Sequence, residues 1–92
     1  MSEYRIFETE QFAEDLQRNL GPRQEKLAKK LREYVYPQLK AQPYFGKNIR
    51  KLRAYKPETW RYRIGPHRLF YEVDEGKKIV FMIAAETRQG SY

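Results

Sequence analysis

The fold is decided by one stretch, residues 60–85, which reads WRYRIGPHRLFYEVDEGKKIVFMIAA. Apolar and polar side chains alternate through residues 60–64 and again through residues 67–74, and a period of two is typical of strands. The dipeptide Gly65-Pro66 separates the two runs and predicts a tight turn. We therefore predict two strands that run antiparallel on either side of this turn.

Three more segments have strand character. Asp74-Glu75-Gly76 predicts a hairpin turn. Residues 78–85 follow it and are apolar on both faces, so we expect a central strand that is covered on both sides. Residues 4–8 alternate and predict a short first strand, and residues 48–52 fit an edge strand.

Two helices are predicted between the first strand and the basic half of the chain. Apolar residues recur every four positions in the first helix, at Phe12, Leu16 and Leu20. Thr9 is its predicted N-cap, and Gly21-Pro22 ends it and starts the second helix. The second helix has an apolar face made of Leu27, Leu31, Tyr34 and Val35. We expect Pro37 to end or kink this helix.

Together these elements predict an α+β fold, in which an N-terminal strand and an α-helical hairpin pack on a mostly antiparallel sheet of about four strands. The 92 residues suffice for a single domain, residues 1–92, with one small core.

The absence of cysteine excludes a disulfide scaffold, a cysteine-based zinc site and a cysteine nucleophile. No apolar run approaches the roughly 20 residues that span a bilayer, and the N-terminal sequence MSEYRIFETE does not resemble a signal peptide. We therefore expect a soluble, cytoplasmic protein with no membrane association.

Positive charge is concentrated in the middle of the chain. The net charge is +7, and residues 43–68 hold eight basic residues against one acidic residue, Glu58. Aromatic residues are interleaved with these charges, and this combination is typical of surfaces that bind RNA, since bases stack on rings and phosphates pair with cations. The alternative is a solvated basic face. The candidate RNA-binding residues ahead of residue 60 are Lys47, Arg50, Lys51, Arg53 and Lys56.

Strand alternation predicts where the arginines of the deciding stretch lie. If the helices cover the face on which the apolar side chains of residues 60–64 pack, Arg61 and Arg63 emerge on the other face. Arg68 joins them from the neighbouring strand, and Arg88 follows the last strand at the same edge. Guanidinium groups that converge in this way repel one another unless an anion is bound, and their planar fork suits phosphate oxygens.

The ordered set of these motifs resembles the second half of the RelE/ParE toxin superfamily of bacterial toxin–antitoxin systems, and in particular its RelE-like branch. That half has a basic loop, a strand like YRIRIG, a tight turn, an arginine that opens the next strand, an acidic hairpin turn, an apolar strand, and a terminal arginine and tyrosine. The corresponding segments here are residues 60–65, 68–73, 74–76, 79–85 and 88–92. The predicted first strand and helical hairpin also fit, so the resemblance covers nearly the whole chain.

The resemblance implies a microbial-RNase-like fold and an mRNA interferase, a toxin that cleaves mRNA, in many members on the ribosome, and so inhibits translation. In such endoribonucleases the 2′-hydroxyl of the RNA attacks the adjacent phosphate, so the reaction needs a base, cations and an acid. It requires no metal and no other cofactor. The catalytic residues that match the pattern of the family are Arg61, Arg63, Arg68, Arg88 and Tyr92.

Two departures from the family's pattern leave the general base open. Well-studied RelE-type members have lysines where this chain has Arg61 and Arg63, and arginine is always protonated at neutral pH, so it is a poor base. The histidine that precedes the terminal arginine in many relatives is Thr87 here. Candidates for general acid and base are His67, Glu86 and Tyr92.

The resemblance also implies partners. They are a cognate antitoxin from an adjacent gene, mRNA, the ribosome with its rRNA, and operator DNA through the antitoxin complex only. We expect the binding segment of the antitoxin to be acidic, because the toxin is strongly basic. The alternatives are a ParE-like toxin that inhibits DNA gyrase without nuclease activity, and a non-catalytic module bound to its antitoxin.

Overall fold

A computed structural model describes residues 3–20, 24–53 and 58–87. The strands are β1 (Arg5–Glu8), β2 (Ile49–Leu52), β3 (Thr59–Ile64), β4 (His67–Asp74) and β5 (Ile79–Thr87). The helices are α1 (Glu10–Leu20), α2 (Gln24–Lys30) and α3 (Tyr36–Ala41), with a π-helical turn (Leu31–Val35) between α2 and α3. The predicted α+β fold is confirmed, with five strands in the described ranges in place of about four.

The sheet has the strand order β1-β5-β4-β3-β2. β1 pairs with β5 in parallel, whereas β2, β3, β4 and β5 pair antiparallel in succession. The two-residue turn between β3 and β4 has Gly65 at φ 58°, a conformation that glycine adopts without strain. The predicted edge strand is β2, which completes the sheet beside β3.

The helices pack on one face of the sheet, which we call the covered face. Its central side chains come from β3, β4 and β5, and they are buried: Tyr62, Leu69, Tyr71, Val80 and Met82. From the helix side the core contains Phe12 and Leu16 of α1, together with Leu27, Leu31, Val35 and Leu39. Thr9 caps α1 as predicted, because its Oγ1 accepts the Phe12 N–H at 3.3 Å. The side chain of Leu20 and the predicted Gly21-Pro22 turn lie outside the described residues.

Of the two outcomes predicted at Pro37, the helix does not end there, but its hydrogen bonding changes directly ahead of the proline. Helical residues continue to Ala41, and the Tyr36 N–H bonds the Leu31 carbonyl, five residues back, directly ahead of the proline. Proline has no N–H and its ring crowds the carbonyl four residues back, and a π-helical turn is one way to absorb both effects. Tyr34 was predicted on the apolar face, but it lies at the π-helical turn and is 65% exposed.

The other face of the sheet, which we call the open face, carries the side chains that alternate with the core. It includes Arg61, Arg63, Arg68, Phe70 and Phe81, of which Arg63 is exposed and the others are half-buried. β5 was predicted to be covered on both sides, but only Val80, Met82 and Ala85 are buried. The apolar side chains of β5 on the open face are half-exposed. In the described part of the chain, no helix is both long and apolar enough to cross a membrane.

Candidate nucleic-acid interface

Four arginines meet on the open face, and strand register brings them together. Arg50 of β2 lies opposite Arg61 of β3, and Arg63 of β3 lies opposite Arg68 of β4. Residues that are directly opposite in an antiparallel pair point to the same face, as do residues two apart on one strand. We call Arg50, Arg61, Arg63 and Arg68 the arginine cluster.

The arginine cluster is an electrostatically unfavourable arrangement in the free protein. Burial, followed by the charges of Arg50, Arg63 and Arg68, lowers the pKa of Arg61 below its ordinary value. The Nε atoms of Arg61 and Arg68 are buried and have no hydrogen-bond partner in the described residues. Buried donors are almost always satisfied in folded proteins, and like charges opposite each other in a sheet are destabilising. An oxyanion ligand would both provide acceptors for these donors and neutralise the repulsion.

One carboxylate reaches the arginine cluster. Arg68 lies opposite Glu86 of β5, and the Arg68 Nη2 donates to Glu86 Oε1 at 2.8 Å. Their side chains are 38% and 56% exposed, so the pair contributes little to stability. The pair matters for chemistry, because it places the Glu86 carboxylate, which can accept a proton, beside the guanidinium groups of the arginine cluster.

A β-bulge explains why Glu86 faces the open side. Phe70 pairs with Ala84 while Tyr71 pairs with Met82, so Ile83 is an extra residue in β5. Val80 and Met82 lie on the covered face, and without the extra residue the same alternation would put Glu86 there too. The strand beyond the bulge is fixed from the helix side, because the buried Asp15 Oδ2 accepts the Ala85 N–H at 3.0 Å.

The structure separates His67 from the arginine cluster. His67 pairs with Ile64, whose side chain packs against the core on the covered face. Its Nδ1 lies 3.0 Å from Thr87 Oγ1. His67 therefore borders a small cleft between α2 and the β3–β4 turn, on the opposite side of the sheet from Arg68.

The other predicted residues divide into three groups. Lys47 and Arg53 are exposed near the two ends of β2. Lys51 points away from Arg50 and pairs with Glu58 at 3.0 Å, so it does not join the arginine cluster. Lys56, Arg88 and Tyr92 lie outside the described residues, so their predicted roles stay predictions.

Sequence reasoning assigned Arg50 to a general RNA-binding set and missed its place beside Arg61. The signal was the edge strand predicted at residues 48–52, but alternation within that strand does not reveal its register against β3. Among the described residues, no group of three or more histidine, aspartate and glutamate side chains is close enough to hold a metal ion.

Comparisons with known proteins agree with this architecture. Residues 6–89 match the family described as ParE toxin of type II toxin–antitoxin systems, parDE. No protein of curated function matches the sequence.

Three solved structures share the fold. An archaeal RelE–RelB complex from Pyrococcus horikoshii is 18% identical with a TM-score of 0.69, and the match covers 97% of this chain and 99% of that one. The toxin–antitoxin complex RelBE2 from Mycobacterium tuberculosis is 23% identical with a TM-score of 0.72, covering 94% and 99%. The isolated E. coli RelE toxin is 26% identical with a TM-score of 0.63, covering 96% and 87%. The family match extends over most of the chain, and the chain therefore belongs to the ParE toxin family, within the RelE/ParE superfamily of type II toxin–antitoxin toxins.

Proposed function

We propose that this toxin is a metal-independent endoribonuclease that cleaves mRNA on the ribosome and so inhibits translation. The observation that carries the proposal is the arginine cluster, in which four cations converge on an open sheet face and two buried Nε–H groups lack partners among the described residues. A phosphodiester supplies the negative charge and the acceptor oxygens that such a cluster needs.

The proposed reaction is an internal transfer at phosphorus. The 2′-hydroxyl oxygen forms a bond to the adjacent phosphorus as its proton leaves to a base, and the P–O5′ bond breaks as the leaving oxygen takes a proton from an acid. The products are a 2′,3′-cyclic phosphate and a 5′-hydroxyl. The arginine cluster would stabilise the extra charge of the pentavalent phosphorus intermediate, the step at which preorganised cations contribute most.

We assign the base to Glu86. Arginine does not lose its proton at neutral pH, and His67 lies on the other face of the sheet. Glu86 is held by Arg68 at 2.8 Å on the same face as the arginine cluster. The leaving oxygen would then take its proton from a second group, for which Tyr92 remains the prediction from the family's pattern.

The second candidate function is inhibition of DNA gyrase without nuclease activity. It is favoured by the family match itself, because the matching family is that of ParE toxins. In this case the arginine cluster would contact a protein or DNA surface and Glu86 would have no chemical role. A non-catalytic module bound to its antitoxin is the third possibility.

The solved RelE–RelB and RelBE2 neighbours are toxin–antitoxin complexes, which supports a cognate antitoxin for this chain. We propose that an acidic segment of that antitoxin covers the arginine cluster, since complementary charge favours both association rate and specificity. Neutralisation of the toxin by an uncharged or basic antitoxin segment would contradict this part of the proposal.

The test is primer extension on a defined mRNA, with the toxin added to a translating extract and, in parallel, to the naked RNA. We expect cuts within codons only where ribosomes are present. Arg61→Gln and Arg68→Gln should each reduce cleavage about 10²- to 10³-fold, the typical cost of removing one transition-state donor. Arg18→Gln is the matched control, because Arg18 is an exposed arginine of α1, remote from the open face.

Two further measurements separate the alternatives. Glu86→Gln should reduce cleavage about 10²-fold or more, as expected when a general base is removed, while binding of an uncleavable RNA is retained. A gyrase supercoiling assay tests the ParE-like alternative. Inhibition of supercoiling, together with no cleavage by folded toxin in either extract or naked RNA, would overturn the nuclease proposal.

A further inference from the structure

A basic cleft lies on the covered side of the β3–β4 turn, away from the arginine cluster. It has a volume of about 90 Å³ and lies between α2 and the turn. We call it the turn cleft, and its lining includes Lys26, Leu27, Lys30, Ile64, Pro66 and His67. None of the described residues that line it is acidic.

The turn cleft lies close to the arginine cluster along the chain but on the opposite side of the sheet. Arg63 and Arg68 form the last but one cross-strand pair before the turn, and Ile64 and His67 form the last. Successive pairs point to opposite faces. The two basic sites therefore face away from each other across the end of a single hairpin, and only Gly65-Pro66 separates them.

At about 90 Å³ the turn cleft is too small to enclose a whole nucleotide, but its side chains suit the phosphate and the ribose edge of one. Lys26 and Lys30 are four residues apart on α2, so they lie on the same side of the helix. Both are exposed, and within the described ranges neither has an ion pair or a hydrogen bond. Leu27, Ile64 and Pro66 form an apolar floor against which a base or ribose can pack. The His67 ring is held against Thr87 at 3.0 Å and forms one wall.

We propose that the turn cleft binds a nucleotide of the same mRNA strand whose scissile phosphate lies on the arginine cluster, with Lys26 and Lys30 on its phosphate. The RNA would then pass around the β3–β4 turn. A Cβ placed at Gly65 would meet no atom within 4 Å, so the path around the turn is open. The inference rests on the proposed function in one respect, that the arginine cluster takes RNA.

The experiment measures binding of uncleavable RNA, carrying 2′-O-methyl sugars throughout, over a series of salt concentrations. A 3-nucleotide oligomer reaches only the arginine cluster, whereas a 12-nucleotide oligomer reaches both sites. Each phosphate contact contributes about 0.7 to the slope of log K against log salt for single strands. The double variant Lys26→Ala/Lys30→Ala removes the contact with one phosphate, so it should lower the slope for the 12-mer by about 0.7 and weaken its binding roughly fourfold at 0.15 M salt. Binding of the 3-mer should not change.

The control is Lys29→Ala/Lys40→Ala, which removes two exposed lysines of the same helical segment that do not line the turn cleft. An equal loss of slope in the control variant would show that the lysines act only as diffuse charge, and it would overturn the proposal. So would an equal effect on the two oligomers, or no binding of either oligomer by the unsubstituted protein. If RNA binds but is never cleaved, the proposed nuclease function is wrong. The salt slopes of the two oligomers then still test whether the turn cleft binds RNA.

Discussion

The two faces of the sheet differ in whether their buried polar groups have hydrogen-bond partners. On the covered face, the hydroxyl of Tyr62 donates to Gln38 Oε1 at 2.7 Å, and that of Tyr71 donates to the Pro43 carbonyl at 2.6 Å. On the open face, the buried Nε atoms of Arg61 and Arg68 have no such partner among the described residues. Both faces belong to the same strands, and the difference is that the helices cover only one of them.

The covered face contributes to stability, and we propose that the open face serves binding. A buried hydroxyl with a partner contributes about 0.5–1.5 kcal/mol, while an unpaired buried donor costs about 1–3 kcal/mol. Like charges in direct cross-strand pairs add to that cost. A small domain with one core has little stability to spare, so the unpaired donors and like charges of the arginine cluster are a local cost, which the Arg68–Glu86 pair offsets only in part.

The largest expected effect compares neighbours on one strand. Leu69 is fully buried on the covered face, whereas Phe70 is half-buried on the open face. Leu69→Ala should lower the free energy of unfolding by about 2–5 kcal/mol, because it leaves a cavity in the core. Phe70→Ala should cost less than about 1.5 kcal/mol, since only part of its ring surface is removed from water. Urea denaturation of the two variants measures both, and equal losses would show that the open face is packed as tightly as the core.

A smaller effect, of the opposite sign, is expected within the arginine cluster. Arg63 is exposed and lies opposite Arg68, so Arg63→Gln removes a like-charge pair at little cost in packing. We expect the free energy of unfolding to rise by about 0.2–1 kcal/mol at low salt. The gain should shrink toward zero at 0.5 M salt, where charge interactions are screened.

Arg18→Gln provides the comparison for this measurement, because Arg18 lies on α1 rather than in the arginine cluster. A gain that is independent of salt, or one that Arg18→Gln matches, would mean that general positive charge is responsible. Repulsion within the arginine cluster would then not contribute to the difference between the two faces.

Local patterns in the sequence predicted which residues share a face, but not all of the pairing between strands. Alternation through residues 60–64 and the Gly65-Pro66 turn sufficed to place Arg61, Arg63 and Arg68 together, as the structure shows. The partner of Arg50 depends on the register of an edge strand, which is set by long-range packing. The bulge at Ile83 lies in an apolar run with no alternation to interrupt, so nothing in the sequence indicated that Glu86 would face Arg68.

The π-helical turn could not be predicted from the sequence for a related reason. Pro37 indicated that the helix must change near this point, but whether it ends or continues depends on burial of the segment that follows. Leu39 of α3 is fully buried, so continuing the helix removes apolar surface from water and offsets the altered hydrogen bonding. Such a balance is decided by tertiary packing and not by the proline itself.

The smallest expected effect concerns a carboxylate that has many partners but lies at the surface. Glu75 follows β4 at the end remote from Arg68, and its Oε1 accepts the hydroxyls of Tyr4 and Tyr44, each at 2.6 Å. Lys78 bonds its other oxygen. The hydrogen bond from Lys78, followed by those from the two tyrosines, lowers the pKa of Glu75 from 4.5 to about 2.

Because the folded-state pKa is depressed, the contribution of Glu75 to stability is fully present above pH 4.5 and is lost as the pH falls toward 2. The melting temperature of the wild type should therefore exceed that of Glu75→Gln slightly at pH 6, and the two should converge near pH 2. Glu14→Gln, at an exposed position of α1, is the control for the general loss of one carboxylate. Added salt should reduce the difference at pH 6, since the group is fully exposed. If neither salt nor pH changes the difference in melting temperature, the charge of Glu75 contributes nothing to stability, and its hydrogen bonds with the tyrosine hydroxyls act alone. Hydrogen-bonded polar groups outside the covered face would then stabilise the protein in the same way as those within it.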